Sequence, residues 1–285
     1  MSEAVLQAVL LLTALGILAA LILYYVSKKF YVYENPLIDK VEALLPSANC
    51  AGCGFPGCRS FAEELTRRED ISDLFCPAGG NNVMREIAGL LGKEIKEKEP
   101  LIAVLKCNGS RQNRPKTTQF EGPDSCAISA IIFSGETDCV FGCLGKGDCV
   151  DVCEFDAMYI DEVTGLPVIL PEKCTGCGAC TQACPRMILE LRPKNETNSK
   201  VYVACSNKEK GGIARKACKA ACIGCAKCVK TCQHEAITLN EHLAYISPGL
   251  CVLCGDCVEV CPTKAITETN VLAGKTIPEE ELQAV

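Results

Sequence analysis

Tryptophan is missing from this chain, aromatic residues make up only 5% of it, and histidine occurs twice. Small units with so few large side chains bury little apolar area, so something other than an aromatic core must hold them together. The two histidines, His234 and His242, lie near no other potential catalytic group, and no histidine-based acid–base site is expected. A P-loop, a nucleophile elbow and an HExxH helix are also absent. No GxGxxG follows a strand, because the glycines of 142–147 lie among cysteines, and the SGET of 134–137 is too short to mark flavin attachment. No nicotinamide or flavin site is therefore expected on this chain. The 29 Lys and Arg do not exceed the 35 Asp and Glu, and no basic, aromatic-rich surface points to nucleic acid.

What the chain has in excess is cysteine, 24 in 285 residues. Three runs share the spacing C-x2-C-x2-C-x3-C, at Cys174–Cys184, Cys222–Cys232 and Cys251–Cys261. That spacing is the ligand signature of bacterial [4Fe–4S] ferredoxin sites, and three copies describe a chain built to hold and pass single electrons. A disulfide framework is disfavoured by chain length, tight quartets and the lack of a signal-peptide pattern. Because cluster binding and folding are coupled, the cofactor-free chain is expected to be largely unfolded beyond its N-terminal segment. Each loaded [4Fe–4S]2+ site with four thiolates carries about −2, adding to the formal net charge of −6.

Residues 4–26 are apolar except for Gln7 and Thr13, long enough to cross the hydrocarbon core as a helix. Tyr24 and Tyr25 suit an interface, and Lys28 and Lys29 follow with no Lys or Arg before them. The positive-inside rule then predicts a single-pass anchor with the bulk of the chain on the cytoplasmic side. A cleaved signal peptide would want a basic start and a shorter apolar run.

The expected fold is α+β in class. An anchor at 1–27 and a linker at 28–43 lead to a four-cysteine domain at 44–92. Its Cys50, Cys53, Cys58 and Cys76 are spaced C-x2-C-x4-C-x17-C, and a short helix is predicted over Ser60–Thr66. A charged hinge, Lys93–Pro100, opens a first ferredoxin-like module at 93–198, and a second fills 199–272, with a polar tail at 273–285. The repeat starts at the apolar strands Leu101–Leu105 and Val201–Ala204, each followed by a cysteine, Cys107 or Cys205. Cys153 then corresponds to Cys232 and Cys184 to Cys261, with insertions in the first copy. Further strands are predicted over Ala157–Ile160, Ile188–Leu191, Ala236–Leu239 and Ala265–Thr267. Pro185 and Pro262 stop the ligand loops from continuing as helix.

The two-cluster rule gives each quartet's fourth cysteine to the neighbouring cluster. Cys139, Cys143, Cys149 and Cys184 are expected at one site of the first module, and Cys174, Cys177, Cys180 and Cys153 at the other. Cys222, Cys225, Cys228 and Cys261 make one site of the second module, and Cys251, Cys254, Cys257 and Cys232 the other. The irregular member is 139–153, spaced C-x3-C-x5-C-x3-C. Zinc is the competing metal, most of all for Cys50–Cys76, although paired CxxC knuckles would suit it better. Cys107, Cys126, Cys205 and Cys218 are left over. They are either buried thiols or a sixth, shared cluster, so five clusters are expected and six are conceivable.

Lys208, Lys210, Arg215, Lys216, Lys219, Lys227 and Lys230 crowd one stretch with a single acid, Glu209. They either compensate nearby anionic clusters or form a docking face for an acidic electron carrier.

Taken together, the anchor, the LPSANCAGCGFPGC segment at 45–58 and the ferredoxin-type modules behind it resemble the B subunit of the Rnf complex, the membrane-bound ferredoxin:NAD oxidoreductase. The resemblance covers nearly the whole chain. It implies a [4Fe–4S] site at Cys50, Cys53, Cys58 and Cys76, and electrons accepted from reduced ferredoxin at the cytoplasmic face of the inner membrane. It further implies their relay to partner subunits, with the nicotinamide site on one of those, coupled to sodium or proton pumping. The alternatives are a relay subunit of a hydrogenase or formate-linked membrane complex, a cluster scaffold, or a redox sensor.

Overall fold

The computed structural model describes residues 3–30, 35–132, 134–195 and 199–269. The expected tail at 273–285 and residues 31–34 of the expected linker lie outside the described residues.

Helix α1 (Glu3–Lys29) carries an acid in its first turn and Lys28 and Lys29 in its last, the polarity a helix dipole favours. From Val5 to Lys29 it is apolar enough to cross a membrane, with a mean hydropathy of 2.6 in its best window and none of that window buried against protein. The helix is about 40 Å long at 1.5 Å per residue, more than a hydrocarbon core needs. Its one central hydroxyl is satisfied internally, Thr13 Oγ1 donating to the Val9 carbonyl at 2.9 Å.

Three helices then pack into a small unit: α2 (Pro36–Leu44), α3 (Cys58–Arg67) and α4 (Gly80–Leu91). Their apolar positions recur at helical spacing, Phe61, Ala62 and Leu65 on α3 and Met84, Ile87 and Ala88 on α4, and all are buried. Helix α2 corrects the expected linker. Asn35 caps it by accepting from Leu37 N at 3.0 Å, and Val41 is fully buried in the shared core. Arg59 of α3 ties it down through Asp39 and Glu42. The predicted hinge is also anchored. Lys93 Nζ donates to the Leu65 and Thr66 carbonyls, and Asn81 bonds the backbone of Lys98 in both directions, at 2.9 and 3.0 Å.

Beyond residue 100 one arrangement occurs twice. In the first copy, β1 (Leu101–Leu105) is followed by α5 (Cys126–Ile132), α6 (Asp148–Asp151), β2 (Met158–Ile160), β3 (Pro167–Ile169), α7 (Ala179–Ala183) and β4 (Leu189–Pro193). The outer strands β1 and β4 pair antiparallel, Leu101 opposite Pro193, and β2 and β3 form a hairpin. In the second copy β5 (Lys200–Val203) pairs with the last strand, β8 (Ile266–Thr269), and β6 (Ile237–Asn240) with β7 (Leu243–Ile246). Helices α8 (Gly211–Ala217), α9 (Lys227–Thr231) and α10 (Asp256–Glu259) complete it. Each β-branched or apolar strand thus closes a short unit whose interior is largely sulfur and aliphatic side chain.

The two copies are joined along one seam. Val104, Tyr202 and Ala204 form a shared apolar contact, and Asn108 N donates to the Ala204 carbonyl at 2.8 Å. Arg192 of β4, 3% exposed, crosses the seam. It donates to the carbonyls of Val201 and Ile246 at 3.3 and 3.0 Å and lies 5.5 Å from the ring centres of both Tyr202 and Tyr245. Glu190 holds it in place at 3.0 Å and also takes Lys106 and the Tyr245 hydroxyl.

Candidate iron–sulfur sites

Each ligand loop turns into a short helix through a left-handed residue between its second and third cysteine positions. Gly178 (φ 83) does this before α7, and Ala226 (φ 57) does it before α9. The turn folds the loop back on itself, so successive cysteines point to one side.

Three small cavities of near-equal size result. Cys222, Cys225, Cys228 and Cys261 line the second of these, with Pro262 beside them. Cys251, Cys254, Cys257 and Cys232 line the third. The lining of the first cavity differs from the expected set. Cys143, Cys149 and Cys184 line it with Pro185, and the fourth cysteine on its wall is Cys126, while Cys139 lies elsewhere. The reason is visible in register. Cys143, Lys146, Cys149 and Cys153 have the spacing of Cys222, Cys225, Cys228 and Cys232, so a lysine occupies the second cysteine position. Lys146 pairs with Asp124 at 3.0 Å, and Cys126 supplies the missing sulfur from the start of α5. Asp148 fixes that start by accepting from the backbone N–H groups of Cys126 and Ala127, at 2.6 and 2.9 Å. Burial pushes the Cys149 thiol up to about 12, and its neighbours Cys126 and Cys184 add to the shift.

Cys153, Cys174, Cys177 and Cys180 gather on the other side of the same module. Burial and the adjacent sulfurs of Cys174 and Cys177 push Cys180 up to about 12, with Cys149 and Cys153 contributing. Cys50, Cys53, Cys58 and Cys76 gather in the helical unit. Asn49 Oδ1 accepts from Cys58 N at 2.9 Å, and Cys76 Sγ accepts from Gly79 N at 3.3 Å. The helical unit packs against the first module where Gly52 meets Cys177; a Cβ on Gly52 would fall 2.8 Å from the Cys177 carbonyl oxygen. Cys139 faces the seam, with Asn207 Nδ2 at 3.6 Å from its Sγ. Cys225 and Cys254 are the exposed cysteines.

The donor set fits a multinuclear cluster. A zinc site would draw its sulfurs onto one ion with metal–sulfur bonds of about 2.3 Å. Sulfurs instead surround cavities. Burial holds Cys228 at about 11 and Cys257 at about 12, so a bare thiolate is disfavoured and one bound to a cationic metal core is not. Arg114 Nε, Arg186 Nε and Thr175 Oγ1 are buried without a hydrogen-bond partner, all close to cysteines. Such orphaned donors suit anionic groups.

Cysteine loops before short helices, strands closed first to last, and an unpartnered apolar helix define a membrane-associated, multicentre iron–sulfur protein. Residues 138–207 and 221–265 match the family model described as a 4Fe-4S dicluster domain, and 45–77 match one described as a putative Fe-S cluster. The B subunit of the Na(+)-translocating ferredoxin:NAD(+) oxidoreductase complex of Acetobacterium woodii is 39% identical over 246 residues, 86% of this chain and 72% of the relative. The B subunit of the ion-translocating oxidoreductase complex of Methanosarcina acetivorans is 38% identical over 86% of this chain and 91% of the relative. The proton-translocating counterpart of Clostridium ljungdahlii is 39% identical over 86% and 85%. The chain belongs to the family of B subunits of ion-translocating (Rnf) oxidoreductase complexes.

Proposed function

We infer that this chain is the iron–sulfur relay component of an ion-translocating ferredoxin:NAD oxidoreductase, taking electrons from reduced ferredoxin and delivering them to membrane partners. The observation that carries this is the succession of cysteine-lined sites through a body that follows a membrane-length helix. When bound, [4Fe–4S] clusters supply one-electron redox chemistry. The chain's own residues hold, space and tune them. Five ligand sets are proposed. Cys50, Cys53, Cys58 and Cys76 form the first, and Cys153, Cys174, Cys177 and Cys180 the second. The third is Cys126, Cys143, Cys149 and Cys184. Cys222, Cys225, Cys228 and Cys261 form the fourth, and Cys232, Cys251, Cys254 and Cys257 the fifth. Backbone N–H groups at Cys76 and Cys261, each 3.3 Å from sulfur, stabilise charge on the thiolates and raise the potential of the bound cluster.

A cytoplasmic body behind a single crossing by α1 is supported by Lys28 and Lys29 in the last turn of that helix. The nicotinamide site falls to a partner subunit. The division into anchor, four-cysteine domain and two ferredoxin-like modules follows the matching strand pairs, with α2 joined to the four-cysteine domain. The named relatives differ in the translocated ion, sodium in one and protons in another, so the family name leaves that ion open.

The docking face for ferredoxin is the second module, where Lys210, Arg215, Lys216, Lys219, Lys227 and Lys230 are all exposed and Cys225 is exposed as well. Complementary charge speeds encounter most at low salt. The doubly reversed variant Lys216→Glu, Lys219→Glu should accept electrons from reduced ferredoxin several-fold more slowly at low ionic strength, with the difference shrinking as salt is added. Equal rates at low salt would remove this face from the mechanism. Co-purification with a nicotinamide-binding subunit separates the proposal from a hydrogenase-linked or formate-linked relay.

A further inference from the structure

We propose that Cys107, Cys139, Cys205 and Cys218 hold a sixth [4Fe–4S] cluster at the seam between the modules, and that this site is the bridge over which electrons cross from one module to the other. The inference rests on the relay reading and concerns cysteines that the five sites above leave unused.

Register first pairs them. Cys107 and Cys205 each stand two residues past the first strand of their copy, β1 or β5. Cys139 stands four residues before Cys143, and Cys218 four before the corresponding Cys222. Each copy therefore contributes two sulfurs from equivalent places, the arrangement a shared site between repeats requires.

The hydrogen bonds repeat in the same way. Cys107 Sγ accepts from Cys143 N at 3.4 Å, and Cys205 Sγ accepts from the backbone of its counterpart Cys222 and from Asn207 N, the latter at 3.5 Å. These are the N–H···S contacts seen at Cys76 and Cys261. Asn207, 1% exposed, ties the copies together, because its side-chain nitrogen reaches Cys139 while its main chain reaches Cys205. Cys107, Cys139 and Cys218 are buried as well.

A buried cation completes the site. Arg114 is 8% exposed, its Nη2 donates to the Cys143 carbonyl, and its Nε has no partner among the described residues. A Cβ placed on Gly109 would touch both Arg114 Nε, at 3.0 Å, and Cys107 Sγ, at 3.3 Å, so guanidinium and thiol share one small space. A buried, incompletely bonded guanidinium calls for an anion, and a four-thiolate cluster of about −2 is one. Four neutral thiols would leave that charge unanswered. Each lies close enough to its neighbours to feel them: Cys107 and Cys139 add to the burial that raises Cys218, and Cys222 and Cys107 to the burial that raises Cys205.

The place of the site in the molecule gives it its role. Through Cys107 and Cys143 it adjoins the cavity of the first module, and through Cys205 and Cys222 the cavity of the second. The series extends both ways: Cys149 and Cys180 are electrostatic neighbours and Cys177 touches the Gly52 loop toward the N-terminus, while Cys228 and Cys257 are electrostatic neighbours toward the C-terminus. Single electrons supplied by a reduced low-potential carrier move along this line, each site accepting one and yielding one, and no covalent bond or proton is exchanged.

Iron and sulfide counting on anaerobically purified full-length protein, with electron paramagnetic resonance of the reduced state, tests the site. The unmodified chain should carry about twenty-four irons. Cys139→Ala and Cys218→Ala should each carry about twenty, and the two together no fewer, since they empty one site. Cys126→Ala with Cys139→Ala should fall to about sixteen, since they empty two. Retained iron at the other sites reports that these variants fold. A count of about twenty in the unmodified protein, or no loss in Cys139→Ala, overturns the sixth site and leaves the relay intact. A preparation with zinc and no iron would instead overturn the relay reading.

Discussion

At the scale of single residues, Lys146 governs the first module. It occupies a position that three regular runs give to cysteine, and the structure answers by bringing Cys126 in from α5. Cys126→Ala should therefore lose about four irons, and adding Lys146→Cys should restore them by recreating the regular spacing. Failure of the second change to restore iron would mean that the lysine position does not face the cluster. The same comparison shows what was legible. The three regular quartets carry the ligand pattern in their spacing, and cysteines of two of them line cavities as that spacing predicts. Cys126 could not, because a ligand delivered from a separate helix leaves no local period. The frame shared by 143–153 and 222–232 did hold the clue, since aligning it exposes Lys146 as the odd residue. Ala226 makes a second residue-scale case. It takes a left-handed conformation where Gly147 serves in the first module, a cost of about 1 kcal/mol for a residue with a Cβ. Ala226→Gly should slow the thermal loss of the clustered form, and faster loss would count against strain at that turn.

At the scale of elements, the strands that open and close each copy were readable as β-branched and apolar runs, and β1, β4, β5 and β8 fall where those runs lie. The hairpin strands β3 and β7 were not, because three or four residues of mixed polarity carry too short a signal. Helices α2 and α4 went unread for a different reason. Asn35–Pro36 is a cap signal and Met84, Ile87 and Ala88 are a helical stripe, but both segments flank cysteines that dominate the eye. The element joining the copies is β4 through Arg192. Removing its side chain deletes two hydrogen bonds to buried carbonyls, two ring contacts and the partner of Glu190. Arg192→Ala should destabilise the seam by roughly 2–4 kcal/mol. Denaturant-driven bleaching of the cluster absorbance, followed as a rate because release is irreversible, measures it. An unchanged rate would show that the seam is held by other contacts.

At the scale of the whole molecule, cysteines are core residues. Three of the buried clusters that hold the repeated body together include them as members, whereas the core of the helical unit is mainly aliphatic and aromatic. Stripping iron with a chelator under reducing conditions should therefore unfold 101–269 while leaving helical signal from α1 to α4. Circular dichroism that kept strand signal and cooperative melting in the stripped protein would show that the sulfurs pack without metal. The formal charge of −6 becomes more negative with every loaded site.

Cys225 and Cys254 are the two sulfurs open to solvent, and both belong to the last two sites of the line, farthest along the chain from the membrane helix. Dioxygen should strike there before anywhere else. Brief aeration ought to strip this outer pair and spare the sites whose sulfurs are covered, so that iron counted against time of exposure to air falls first by about eight.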